Sequence, residues 1–157
     1  MDVPCDDRDQ AWPLFLATYG TLIEILEHEL QTERGLPLTW FDVLIQLSFQ
    51  PHGRMRMQDL ADRVLLSKSG VTRLVDRMTK AGLIARVPCE TDRRVVFAEL
   101  TSEGRAKLTE ASPVAFRGVA EHFTQHLGRA EHDAIMSGFR KILDAARART
   151  QEERAAS

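Results

Sequence analysis

Residues 57–83, MQDLADRVLLSKSGVTRLVDRMTKAGL, constrain this chain more than any other stretch, because they hold two apolar stripes at helical spacing with room between them only for a tight turn. In the first half Leu60, Ala61 and Val64 form the stripe and leave Asp59, Asp62 and Arg63 for solvent. Asp59 and Asp62 also suit an early helical turn, where the helix dipole favours negative charge. In the second half Val71, Leu74, Val75 and Met78 recur every three or four residues and predict a buried face. Ser67 is placed to cap that helix by accepting a backbone N–H two or three residues on. The opposite face carries Lys68, Ser69, Thr72, Arg73, Asp76 and Arg77. Gly70 in the first turn costs about 1 kcal/mol of helix propensity relative to Ala, and in exchange allows close approach to a backbone.

An ordinary amphipathic helix pair with merely solvated charges explains this segment alone, but not the residues directly after it. Gly82 reads as a helix stop, residues 83–88 as a short strand, and residues 93–101, RRVVFAELT, as a second strand with apolar and polar residues interleaved. The turn between them, Cys89 to Asp92, is flanked by Arg93 and Arg94. Residues 55–57 add a short strand ahead of the helix pair. Helix, turn, helix and a hairpin with a basic tip make a winged helix-turn-helix, so the fold class expected is mainly α with a small β-wing.

Four ordered motifs carry a family resemblance: DLADRV, SKSGVTRLVDRMTKAGLIAR, DRR at the wing tip, and LTSEGRAKL opening the next helix. The run from about Thr39 to Leu108 resembles the MarR family of bacterial transcription regulators, and the flanking helices fit the same layout. The resemblance implies one MarR-like domain over residues 1–157, with the winged helix-turn-helix at about 37–108 and dimerisation helices at about 1–36 and 109–157. It implies a homodimer that binds double-stranded DNA at a pseudo-palindromic operator, acts as a repressor and is released by a small effector. In the family the wing's Asp-x-Arg sets an arginine in the minor groove and uses the aspartate to orient it. By position that makes Arg94 the minor-groove residue, Asp92 its partner and Arg93 a backbone contact. The resemblance also implies a small aromatic effector held near Tyr19, His28, Trp40 and Phe41.

Charge supports the same assignment independently. The chain carries a net −2, which argues against a general nucleic-acid binder, yet residues 54–105 hold eleven Lys and Arg against seven Asp and Glu, a net +4 that leaves −6 for the remainder. A basic centre within acidic flanks restricts phosphate attraction to one face. On the second helix Ser67, Ser69 and Thr72 can donate to phosphates or base edges. Lys68 or Arg73 is assigned to base reading and Arg77 to phosphate, an arginine paired bidentately with guanine contributing about 1–3 kcal/mol of discrimination.

The outer segments are helical. From about Ala11 to Glu33, Leu14, Phe15, Tyr19, Leu22, Ile23, Leu26 and Leu30 repeat at helical spacing; Thr39 and Asp42 suggest a capping box opening a helix over 40–50. Thr101 is expected to cap a helix running to about Leu127, bent or interrupted by Pro113, with Gly128 ending it. A last helix is expected from about Glu131 to Arg149. These helices carry more apolar face than one winged domain covers, and a two-fold dimer would bury it.

Other chemistries leave weaker marks. His122 and His126 are four apart, a spacing that on one helix would let both face a zinc ion, with Glu24, Glu27 or His28 from the first helix completing the set. Such pairs are more often surface residues, so no metal is assigned. Cys5 lies in an acidic run that disfavours a thiolate, and Cys89 beside the wing is an equally weak redox candidate. A metal-dependent hydrolase is disfavoured by the absence of H-E-x-x-H and of a carboxylate beside the His pair on its own helix; no enzyme activity or cofactor is expected. With no long apolar run and an acidic N-terminus, the chain reads as cytoplasmic and not membrane-bound. A winged helix used only for protein docking, or a zinc- or thiol-responsive regulator, is the alternative within the same fold.

Overall fold

A short loop, Gly35 to Pro37, sets the direction in which the chain enters its central unit. The computed structural model describes residues 10–64, 68–89, 91–92 and 94–155. Helix α1 spans Ala11–Arg34 and ends where Gly35 adopts φ +58° and returns its N–H to the Gln31 carbonyl at 2.9 Å. Helix α2, Leu38–Ser48, starts before the predicted cap. Pro37 is the extended residue at its head, and the Leu38 amide donates to Glu27 Oε2 of α1 at 2.7 Å. A carboxylate from another helix thus satisfies one of the orphan donors and meets the positive end of the dipole. Thr39 and Asp42 do not form the expected capping box; Asp42 faces Gln46 at 3.5 Å, and burial raises its carboxyl pKa against that amide's smaller opposing effect.

After a single 3₁₀ turn, Pro51–Gly53, strand β1 covers Arg54–Arg56 and helix α3 covers Met57–Arg63. Helix α4 is Lys68–Lys80, followed by β2, Ile84–Pro88, and β3, Val96–Leu100. The three strands form an antiparallel sheet in the order β1-β3-β2, with Met55 opposite Ala98 and Ile84 opposite Leu100. Met55, Ala98, Ile84 and Leu100 are buried while Arg54 and Arg56 are exposed, so the sheet has one core face and one wet face. Strand β1 begins one residue earlier than expected, with Arg54 paired to Glu99, and ends one residue earlier because Met57 already belongs to α3. Strand β3 is shorter than residues 93–101 because the Val95 N–H turns back to the Asp92 carbonyl at 2.9 Å and closes the wing tip.

The predicted stripe of α4 is the centre of the core: Val71, Leu74, Val75 and Met78 are each at most 1% exposed. They meet Leu44 and Leu47 of α2 and Leu60 of α3 in one apolar cluster, each full burial contributing roughly 1.5–3 kcal/mol. Gly82, at φ +76°, terminates the helix as predicted. Its N–H bonds the Thr79 carbonyl and the Leu83 N–H bonds Met78, both at 3.0 Å, a Schellman arrangement that turns the chain directly into β2.

Helix α5, Ser102–His122, opens as expected: Thr101 Oγ1 accepts from the Gly104 N–H at 3.0 Å and donates to the Gly82 carbonyl at 2.7 Å. One hydroxyl therefore joins the end of α4 to the start of α5. The helix runs through Pro113 without interruption and stops five residues before the expected end, because Phe123 leaves helical backbone at φ −130°, ψ −67°. Gly118 lets α1 approach closely, since an added Cβ would stand 2.7 Å from Leu26 Cδ2. Lys107 Nζ donates to the Arg34 carbonyl at 2.7 Å, Arg34 Nε donates to the Glu110 main-chain carbonyl at 3.1 Å, and Arg117 pairs with Glu33.

The chain divides into two compact units, up to Gly118 and from Val119, the division falling inside α5. The second unit holds the end of α5, a 3₁₀ turn at Thr124–His126, and helix α6, Arg129–Ala155, longer at both ends than expected. Gly128 heads α6 rather than simply ending α5, its N–H held by Glu131 Oε2 at 2.7 Å. Among the described residues no helix is long and apolar enough to cross a membrane.

Candidate nucleic-acid interface

Burial of the α4 stripe forces its other face outward. Thr72, Arg73, Asp76 and Arg77 are all exposed there. Lys68 and Ser69 lie in the first turn of α4, their side chains outside the described residues, as is Ser67 altogether. Helix α3 packs against α4, and an open cleft of about 280 Å³ is lined by Met57, Gln58, Ala61, Val71 and Thr72 of the two helices.

The wing tip is held by its own aspartate. Asp92 Oδ1 accepts from the backbone N–H of Arg94 at 3.0 Å and from its Nε at 3.2 Å, while Oδ2 faces Nη2 at 3.4 Å. The Arg94 side chain is nevertheless 91% exposed. A forked carboxylate contact at the base of the guanidinium and a free outer edge make a cation that is aimed before any ligand arrives. The same bonds hold the Asp92 carboxyl below the usual carboxylate range. Arg93 lies outside the described residues.

Arg86 on β2 carries a contact that sequence reasoning did not single out. Its Nη2 meets Asp76 Oδ1 of α4 at 2.9 Å and lies 3.4 Å from the Thr72 carbonyl one turn earlier. The sequence signal was available as an acid on the exposed face of α4 and a base just past the Gly82 stop, but only the Schellman turn folds one back over the other. On the wet face of the sheet, Arg54 sits over the Phe97 ring at 5.2 Å.

The residues assigned to an effector fall in different surroundings. Phe41 is in the core and meets the Phe116 ring edge-on at 6.4 Å, Trp40 is half-buried against that core, and Tyr19 and His28 are exposed, Tyr19 stacking on Phe15 at 6.2 Å. The expectation that His122 and His126 share one helix is corrected: α5 ends at His122, Phe123 breaks the backbone, and His126 closes the following 3₁₀ turn. No group of three potential metal ligands occurs among the described residues. Cys89 is a half-buried free thiol, with Sγ 3.3 Å from Thr91 Oγ1, and that bond and the neighbouring amides lower its pKa. Cys5 lies outside the described residues.

Comparison with known proteins agrees with this geometry. Residues 34–95 match the profile described as the MarR family. The HTH-type transcriptional repressor MdtR of Bacillus subtilis is 35% identical over 68 residues, which cover 43% of this chain and 44% of that protein. The chain thus spans about half the length of the first curated relatives it matches. Among solved structures, Sco3205 of Streptomyces coelicolor, a MarR family transcriptional regulator in complex with DNA, superposes with a TM-score of 0.84 at 25% identity over 92% of this chain and 91% of that one. AbsC, a MarR family transcriptional regulator from the same organism, superposes with a TM-score of 0.86 at 32% identity, covering 94% of this chain and 99% of that one. With a likeness at that identity along nearly the full length of both chains, the protein belongs to the MarR family of transcriptional regulators.

Proposed function

We propose that this protein is a homodimeric, sequence-specific DNA-binding regulator that acts as a repressor and is released by a small effector. The observation that carries the DNA half is the wing-tip Arg94, fully presented to solvent and oriented by Asp92. Helix α4 would enter the major groove with Thr72, Arg73 and Arg77 toward bases and phosphates, while Arg94 would reach the adjacent minor groove, whose negative potential attracts a guanidinium. The exposed apolar faces of α1 and α6, including Trp12, Leu14, Leu16, Ile142 and Leu143, support a second copy as their cover. Two such copies would place their α4 helices about 34 Å apart, one turn of the duplex. Repression follows from occupancy of an operator and is supported by the relative MdtR, a repressor. Family membership supports release by an effector.

The test is selection from a random-sequence duplex pool followed by binding titrations at several salt concentrations. The reading expects an inverted repeat to emerge and log K to fall linearly with log salt, with a slope of about −0.9 per phosphate neutralised. A pool that stays unenriched, or binding indifferent to salt, overturns it and favours protein docking.

A further inference from the structure

The sheet's core face changes character at Arg86. Two residues earlier, Ile84 is 1% exposed opposite Leu100; two residues later, Pro88 is exposed at the wing; Arg86 itself pairs across the sheet with the fully buried Ala98. Its stem therefore lies where the sheet leaves the core, and its head reaches α4 at two points one turn apart, the Asp76 carboxylate and the Thr72 carbonyl. Those two residues stand on the same exposed face as Arg73 and Arg77. The pair is about half exposed, 38% for Arg86 and 51% for Asp76, so it adds little to global stability. A two-point contact between a strand and a helix restricts how far the helix can roll against that strand.

We propose that Arg86, acting through Asp76, is a positioning residue that sets the rotation of α4 relative to the wing and thereby the discrimination between DNA sequences. This rests on the DNA-binding reading above. Asp76 then has a role that its charge alone contradicts: an acid on the face turned to phosphate repels DNA, so the field by itself predicts tighter binding when it is removed. Positioning predicts the opposite sign.

The experiment compares wild type, Arg86→Ala, Asp76→Asn, the double variant and Arg86→Lys on two duplexes: the one that the wild type enriches most strongly from a random pool, and a scramble of it. In Arg86→Ala and in Asp76→Asn the preference for the selected duplex should fall about tenfold, a loss of one coupled contact. The double variant should lose no more than either single one, because both break the same contact. Arg86→Lys keeps the charge and reaches the carboxylate, so it should recover part of the preference. Thermal unfolding midpoints close to that of the wild type would separate this from misfolding, and Asp76→Asn, the smallest change, keeps the comparison open if an Arg86 variant folds poorly. Tighter binding of Asp76→Asn to both duplexes, or additive losses in the double variant, would overturn the proposal. So would an Arg86→Ala variant that loses about one unit of salt slope while Asp76→Asn keeps its preference, since Arg86 would then be a phosphate contact. If the wild type enriches no duplex, the DNA-binding reading itself fails, a result visible before any variant is measured.

Discussion

Helices α4 and α6 are both amphipathic, yet they end in opposite surroundings. The apolar stripe of α4 is sealed by α2, α3 and the sheet, with Val75 and Met78 at 0% exposure, whereas in α6 Ile142 is 64% and Leu143 51% exposed. The first half of α1 resembles α6, with Leu14 at 68%. The difference teaches that this chain completes the core of its winged helix-turn-helix from its own sequence and leaves the faces of its outer helices for something else. Apolar area left in water is worth roughly 25 cal/mol per Å², so several such side chains along two helices form a strong reason to associate.

The sharpest test of the contrast is a pair of truncations. Leu44→Ala, at a site with no exposure, should cost about 2–5 kcal/mol in urea unfolding, because the surroundings cannot fully collapse on the space. Leu14→Ala should cost far less at the same protein concentration. Equal losses would erase the distinction between the two regions. Next in size, Ile142→Glu should weaken self-association by at least about tenfold in sedimentation experiments, since an uncompensated charge in an apolar contact opposes its burial. Unchanged association would mean that this part of α6 is not covered by a second copy.

A smaller effect is expected at the wing. Arg94→Ala should reduce DNA affinity severalfold to about tenfold and lower the salt slope by about 1, with the unfolding midpoint unmoved. The Asp92 carboxyl that orients it has a folded-state pKa depressed by Arg94. Its contribution is therefore fully present above the unfolded value of about 3.9 and is lost only as pH falls through the lower folded value. DNA affinity measured from pH 7 down to about 5 should accordingly show no titration from this pair, and Asp92→Asn should weaken binding across that whole range. A titration near pH 6 that Asp92→Asn abolishes would refute the assignment.

Local rules made much of this molecule legible before its structure. The stripe of α4, the Gly82 stop, the Thr101 cap and the alternation in the wing each depend on neighbours within a few residues, and each is present where expected, whereas α3 ends at Arg63 and leaves the buried Val64 in extended backbone at φ −87°. Long-range contacts replaced or escaped these local rules. Glu27 displaced Thr39 as the cap of α2 from eleven residues away, and Lys107 reached the end of α1 across 73 residues. The break at Phe123 separated His122 from His126, although nothing as short as a spacing rule signals it.

Periodicity, turn chemistry and charge order along the chain are one-dimensional quantities, and they were enough to determine the winged helix-turn-helix and its basic exposed face, while the Asp92–Arg94 pair at its tip, present in the structure, was implied by the family resemblance. Only the tertiary structure decided which groups from distant segments meet: the Glu27 carboxylate at the head of α2, and Arg86 laid over Asp76 and Thr72. A helix's own residues specify which face it buries, but its rotation against a neighbouring strand is settled only when both are packed on the same core.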